Sequence, residues 1–277
     1  MAFVDLHLHT TASDGQLTPA QLIGLVARQG LQIVSVTDHD STEGLDEAIQ
    51  AAKHFPSLTV IPGIELSTDI PGTEIHILGY FLDYQDSRFQ KTLVDFRLGR
   101  EERGWLMVQK LKQLDIKIEW GRVKELSGGG AIGRPHLAQA MLERGYVSSQ
   151  KDAFDLYIGR NGPAYVERSK LSPADAVGFI NSVGGVGVLA HPTFVSNSER
   201  VVGDLKKVGL AGIEVYYKDY SPEDVRKLSS LATRYDLVPC GGSDYHALGI
   251  PGEVLPGIVG PPLETIEKLK ALTKRVV

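Results

Sequence analysis

Phe3-Val4-Asp5-Leu6-His7-Leu8-His9 alternates apolar and chemistry-bearing side chains, and its reading decides the fold. In an extended segment successive side chains take opposite faces, so His7 and His9 share one face while Leu6 and Leu8 share the other. One face suits a core, and the other sets two imidazoles side by side as a pair of metal ligands. A His-x-His pair also arises by chance. What gives this one weight is that later apolar runs keep ending in ligand-type residues.

Working outward, residues 10–15 read as a polar loop that carries Asp14. Thr18 is an N-cap with Pro19 at the first helical position, predicting an amphipathic helix to about Arg28. Residues 31–37 (LQIVSVT) read as a buried strand running into Asp38-His39-Asp40. Ser41 or Thr42 caps a helix over 45–53. A strand at 58–61 leads to Gly63-Ile64-Glu65, and 74–81 (EIHILGYF) alternates and carries His76. This rhythm predicts parallel strands with helical crossovers.

From about 90 to 168 the strands stop. Leu93, Phe96, Trp105, Val108, Leu111 and Leu114 fall at helical spacing, followed by a Gly128-Gly129-Gly130 joint and short helices near 135–143 and 150–157. The expected organisation is an α/β protein, barrel elements interrupted by a helical insertion domain. Residues 1–98 and 168–277 form the barrel, and 99–167 form the insertion as a substrate lid. The alternation resumes after Pro173, with strands at 186–189, 212–216 and 237–240. The first ends in Ala190-His191-Pro192, and the last runs into Ser243-Asp244-Tyr245-His246. A closing helix is expected over 263–274.

Composition narrows the function. A 277-residue chain with net charge −5 and a pI of about 5.9 has no global basic field for a long nucleic-acid duplex. The single cysteine, Cys240, excludes an internal disulfide framework and suits a reducing cytosol. No signal peptide is read at the N-terminus, and no apolar run approaches the roughly 20 residues that span a bilayer. A cytoplasmic protein is expected.

Six of the eight histidines, His7, His9, His39, His76, His191 and His246, lie in or just after strand-like runs. Glu65, Asp14, Asp40 and Asp244 accompany them. Strand C-termini converge on one face of a parallel barrel, so residues distant in sequence can meet there. Buried ionisable groups are costly unless paired or metal-bound, which favours a metal centre over core packing. His54 and His136 follow no strand, and His54 reads as a surface residue at a helix end.

His-x-His with Asp14, Thr-Asp-His-Asp, Gly-Ile-Glu, a strand histidine, Ala-His-Pro and Ser-Asp-x-His together resemble the PHP (polymerase and histidinol phosphatase) metallo-phosphoesterases. The chain looks most similar to a bacterial branch whose insertion contains Gly133-Arg134-Pro135-His136. That branch includes nucleoside 3',5'-bisphosphate phosphatases and 5'-to-3' exonucleases, and the resemblance implies a distorted (β/α)7 barrel with a helical insertion domain. The resemblance implies three groups of ligands: His7, His9, Glu65 and Asp244; Glu65, His76 and His191, with Glu65 bridging; and Asp14, His39 and His246. Asp14 stands where many relatives have histidine, which would weaken the third site or favour a harder ion. Two or three divalent ions are expected. Mixed imidazole and carboxylate donors suit Mn, Zn or Fe, with Mn favoured.

The implied chemistry is metal-assisted attack of water on phosphorus, with Glu65, Asp244 and His246 as the catalytic residues and either His246 or a water on the third metal protonating the leaving oxygen. Arg134, after a glycine-rich turn, and Lys170 are the expected phosphate grips, with Arg160 and Arg168 weaker candidates. The expected substrate is a small nucleotide, foremost a nucleoside 3',5'-bisphosphate. Alternatives are 5'-to-3' exonuclease action on short RNA or DNA, histidinol-phosphate hydrolysis, and a non-catalytic metal-binding module, against which the full ligand set argues.

Overall fold

The computed structural model describes residues 2–70, 73–167, 171–250 and 252–273. Seven strands, β1 (Val4–Leu8), β2 (Ile33–Val36), β3 (Thr59–Ile70), β4 (Thr73–Tyr80), β5 (Val186–Leu189), β6 (Gly212–Tyr217) and β7 (Val238–Gly242), lie side by side in sequence order. Leu8 bridges Tyr245 just beyond β7, so the two ends of the sheet meet in a nearly closed barrel.

Helices follow the strands as the capping residues direct. Thr18 and Gln21 form a reciprocal capping box at the start of α1 (Pro19–Arg28), and α2 (Leu45–Ala52) returns the chain to β3. Each packs its apolar stripe on the sheet through residues such as Leu22, Ile23, Leu45 and Ala48.

The barrel departs from the expected all-parallel pattern at β4. β1, β2 and β3 are mutually parallel, as are β5, β6 and β7, but β4 runs antiparallel to both of its neighbours. The reason is chain length. Two residues separate β3 from β4, and a parallel return needs a crossover of a dozen or more. The register sets Ser67 opposite His76, so Glu65 is the diagonal neighbour of His76 on the same face.

Between β4 and β5 the described residues form helices and no strand. α3 (Ser87–Gln113) is followed by α4 (Trp120–Leu126), α5 (Arg134–Glu143) and α6 (Gln150–Ala153), which runs into one π-helical turn at Phe154–Ile158. α3 spans the expected boundary at 98/99. Its first half packs Phe89, Leu93 and Phe96 on the barrel. Its second half packs Met107, Val108 and Leu111 into a separate cluster with Val123, Leu137 and Met141. Between the halves, Arg100 is buried and donates to Asp40 Oδ2 at 2.7 Å and Ser67 Oγ at 2.6 Å. The remaining helices are α7 (Pro173–Ser182), α8 (Ser198–Lys207), α9 (Pro222–Arg234) and α10 (Glu264–Leu272).

Closure of the barrel rests on Asp5. Fully buried on β1, it accepts backbone N–H groups from His7 at 3.2 Å, Ser243 at 3.0 Å and Gly257 at 3.1 Å. Burial pushes its carboxyl up to about 6 even though these donors oppose the rise. Asp5→Ala leaves three donors without their acceptor and should cost roughly 2–4 kcal/mol. Urea unfolding of the variant checks this, and an unchanged midpoint would show that water or local shifts replace the acceptor.

Candidate metal centre

β1 delivers His7 and His9 to the barrel interior, both essentially inaccessible, with Leu6 and Leu8 packed on the other face. Glu65 comes from the middle of β3 and is 1% exposed. Its two oxygens divide the histidines. Oε2 lies 3.2 Å from His7 Nε2, from His9 Nε2 and from His39 Nδ1. Oε1 lies 2.8 Å from His76 Nδ1 and 3.2 Å from His191 Nε2. Asp244 Oδ1 sits 3.3 Å from His7 Nε2 and 3.2 Å from His9 Nε2. Asp14 faces His246 Nε2 at 3.3 Å, with His9 and His39 each at 3.8 Å.

Every one of the nine residues expected as ligands is therefore in one contiguous cluster. Within it, three tight groups bring one donor atom from each member inside 4.8 Å of the others. They are His9, Asp14, His39 and His246; His7, His9 and Glu65; and His39, Glu65 and His76. The donor set fits divalent ions on two grounds. His9 Nδ1 and Nε2, Asp14 Oδ1 and His39 Nδ1 are buried and face other donor atoms at 3.2–3.8 Å, but no described residue is aligned to hydrogen-bond them, an arrangement proteins avoid unless something else satisfies those atoms. And metal–ligand bonds of about 2.1 Å set neighbouring donors roughly 3 Å apart, the spacing seen around Glu65.

The electrostatics agree. Burial works against charge on Glu65, but His39, His7 and His76 outweigh it and hold the carboxyl well below its usual range. Burial also opposes charge on His9 and His76, yet the facing carboxylates lift them to about 10 and about 9. His39 goes the other way, pushed down to about 3 chiefly by burial. The pocket is thus a sink for positive charge.

The backbone is shaped to aim these groups. Asp38 accepts Thr10 N at 2.8 Å, Thr10 Oγ1 at 2.7 Å and Ser13 Oγ at 2.6 Å, which pins the loop that turns Asp14 inward. Asp40, His191 and Asp244 adopt left-handed φ of 50°, 30° and 51°. For non-glycine residues such conformations cost of order 1–3 kcal/mol each and gather at functional sites. Asp40, beside His39 in sequence, gives its carboxylate to Arg100 and to the backbone N–H of Ser67.

The phosphate grips are placed unevenly. Arg134, the first residue of α5, stands over the rings of Phe154 and Tyr165 and donates to Glu74 Oε2 at 2.5 Å; Glu74 Oε1 is 3.8 Å from His76 Nε2. His136 Nδ1 accepts the N–H of Gly133 at 3.0 Å and so caps the helix that carries Arg134. Arg160 is paired with Asp69. Lys170 and Arg168 lie outside the described residues. His54 is exposed at the end of α2.

Three residues of β6 and its end escaped the sequence reading. Glu214, fully buried, accepts His7 Nδ1–H at 2.9 Å and the backbone N–H of His191 at 2.8 Å. This fixes the His7 ring so that Nε2 faces Glu65 and Asp244. Lys218 donates to Asp244 Oδ2 at 3.0 Å and to the Tyr217 hydroxyl at 3.1 Å, and that hydroxyl donates to Asp244 Oδ2 at 2.8 Å. An acid inside an apolar strand, as in Gly-Ile-Glu-Val, was the available signal for Glu214, and it matches the setting of Glu65. Glu214→Ala should weaken divalent-ion uptake by roughly ten- to a hundredfold, as loss of a hydrogen bond that orients a ligand does. Competition against a chromophoric chelator measures it, and unchanged affinity would show that packing alone holds His7.

Comparison with known proteins follows the same lines. The chain is 33% identical over 278 residues to the 3',5'-nucleoside bisphosphate phosphatase of Chromobacterium violaceum, covering 96% of this chain and 97% of that one. It is 32% identical to the 5'-3' exoribonuclease Rnm of Salmonella typhimurium, covering 87% and 84%. Its fold superposes with a TM-score of 0.89 and 28% identity on a Bifidobacterium adolescentis protein named, as a proposal, a metal-dependent phosphoesterase, covering 99% of this chain and 97% of the other. The PHP domain pattern itself matches residues 5–146, and the chain belongs to the PHP domain family.

Proposed function

We propose that this protein is a metal-dependent phosphoric monoester hydrolase that converts a nucleoside 3',5'-bisphosphate to the nucleoside monophosphate and phosphate. The observation that carries this reading is Glu65, whose two oxygens face two separate sets of imidazoles and so suit a bridge between two cations. The likeness to the Chromobacterium enzyme supports the substrate class.

His7, His9, Glu65 and Asp244 would hold one ion, Glu65, His76 and His191 a second, and Asp14, His39 and His246 a third, with manganese the favoured metal. When bound, such ions acidify a water, polarise phosphoryl oxygens and offset the charge that grows in the transition state. The chain's own groups do the rest. Glu214 and Asp38 hold the donors still. His246 Nδ1–H donates to the Asp244 carbonyl at 3.0 Å, which turns the Nε2 lone pair toward Asp14 and favours a ligand role over the proton-donor role. Lys218 brings an ammonium beside Asp244, where it can bind the ester or protonate its leaving oxygen. Arg134 grips a phosphate by exchanging Glu74 for it, and Lys170 is proposed as a second grip.

A second reading, stepwise 5'-to-3' removal of nucleotides from short RNA or DNA, is favoured by the likeness to exoribonuclease Rnm. A phosphate-release and product screen over nucleoside bisphosphates, dinucleotides and short oligonucleotides separates the two. We place the protein in the cytoplasm, in keeping with the buried free thiol of Cys240. No described helix is long and apolar enough to cross a membrane.

Glu65→Gln should lose bound metal and nearly all turnover, while His54→Ala should keep both. Elemental analysis beside phosphate release tests the pair, and a metal-loaded, active Glu65→Gln would overturn the bridge. Arg134→Ala should lower kcat/KM by roughly ten- to a hundredfold, the worth of a charge-assisted hydrogen bond, without changing metal content. Wild-type kinetics in that variant would place the phosphate grip elsewhere.

A further inference from the structure

Phe194 is the most exposed large apolar side chain among the described residues, at 61%. Single exposed hydrophobics are ordinary on protein surfaces. The setting of this one is not. It ends a one-turn 3-10 helix, Pro192–Phe194, that begins immediately after His191. Pro192 and Val195, which bracket Thr193 and Phe194, are buried, and Phe194 N donates to His191 O at 3.1 Å. The backbone is therefore held at both flanks while the ring between them faces solvent.

The ring also stands at the edge of the metal centre. Its centroid is 5.8 Å from the imidazole of His191 and 6.0 Å from the ring of Tyr217. Tyr217 is itself fixed, since its hydroxyl donates to Asp244 Oδ2 and Tyr220 packs on it at 5.2 Å. Tyr220 in turn receives the N–H of Thr193 at 3.5 Å, tying this wall to the turn that carries Phe194. An aromatic ring kept in water beside histidines that would surround a reacting phosphate has one chemical use that matches the substrate: a planar heteroaromatic can stack on it.

We propose that Phe194 is a specificity-determining residue, the platform on which the nucleobase of the substrate stacks while the phosphate is held among the histidines. The proposal rests on the nucleotide reading given above. Tyr217 supplies the edge that keeps the ring upright. Base–aromatic stacking tolerates every base, because each has a π-face, so the platform selects nucleotides over other phosphate esters without reading base identity.

The test compares adenosine 3',5'-bisphosphate with its abasic counterpart, 1-deoxyribose 3,5-bisphosphate, on the metal-loaded enzyme. Phe194→Ala should lower the ratio of the two kcat/KM values by roughly ten- to a hundredfold, mostly through KM, and Phe194→Trp should restore it. In Phe194→Trp, adenosine 5'-monophosphate should also quench the introduced fluorescence beyond any change in the wild type, whose Trp105 and Trp120 lie on α3 and α4. An unmoved ratio in an otherwise active Phe194→Ala enzyme overturns the platform and leaves the nucleotide reading standing. An equal loss on both substrates also overturns it, since the ring would then be shaping the metal centre. A wild-type enzyme that releases no phosphate from any nucleotide overturns the function reading, and the platform with it.

Discussion

A single carboxylate holds the structure's logic together. Glu65 is buried in a strand, ionised, and faced by five imidazoles. A buried charge of that kind is tolerated only where opposite charge or a cation compensates it, and the compensation must come from every side. Those sides are β1, the loop after β2, β4 and the end of β5. Each strand's place in the barrel is thus tied to the same point, and a barrel is the architecture in which many strand ends can reach one point.

Holding nine ligand-type residues there takes a second layer of interactions. Glu214 ties His7 and the backbone of His191 together, Asp38 fixes the Asp14 loop, and Asp5 ties β1 to the segments at Ser243 and Gly257. All three are buried acids that accept N–H or O–H groups, so their own burial is offset while they rigidify the centre. The left-handed conformations of Asp40, His191 and Asp244 are strain that these bonds sustain.

The helical segment between β4 and β5 is joined to this centre by a continuous element rather than a loose linker. α3 passes from the barrel's hydrophobic core to the cluster formed by α4 and α5, and the buried pair of Arg100 and Asp40 sits at the crossing. Breaking such a pair from one side leaves an uncompensated charge. The segment is therefore tied to the barrel by a buried ion pair as well as by a continuous helix, and from it Arg134 stands near His76 although the two are remote in sequence.

What the sequence determined by itself was the periodic and the covalent. Alternation in Phe3-Val4-Asp5-Leu6-His7-Leu8-His9 put both histidines on one face, Thr18-Pro19 started a helix, and ligand-type residues after apolar runs marked the site; these are local consequences of strand and helix geometry. The tertiary structure decided what depends on meetings between distant residues. The two-residue step from β3 to β4 reversed a strand that its composition could not orient. Asp40 turned to Arg100 although its motif grouped it with the histidines, because a partner sixty residues away outcompeted them. Glu214 repeats the Gly-Ile-Glu setting of Glu65, yet nothing in that stretch says that it faces His7, and Phe194 looked like an ordinary loop aromatic until folding set it against His191. Pairing across space has no period for a sequence to display, and that is where the reading of residues in order stops.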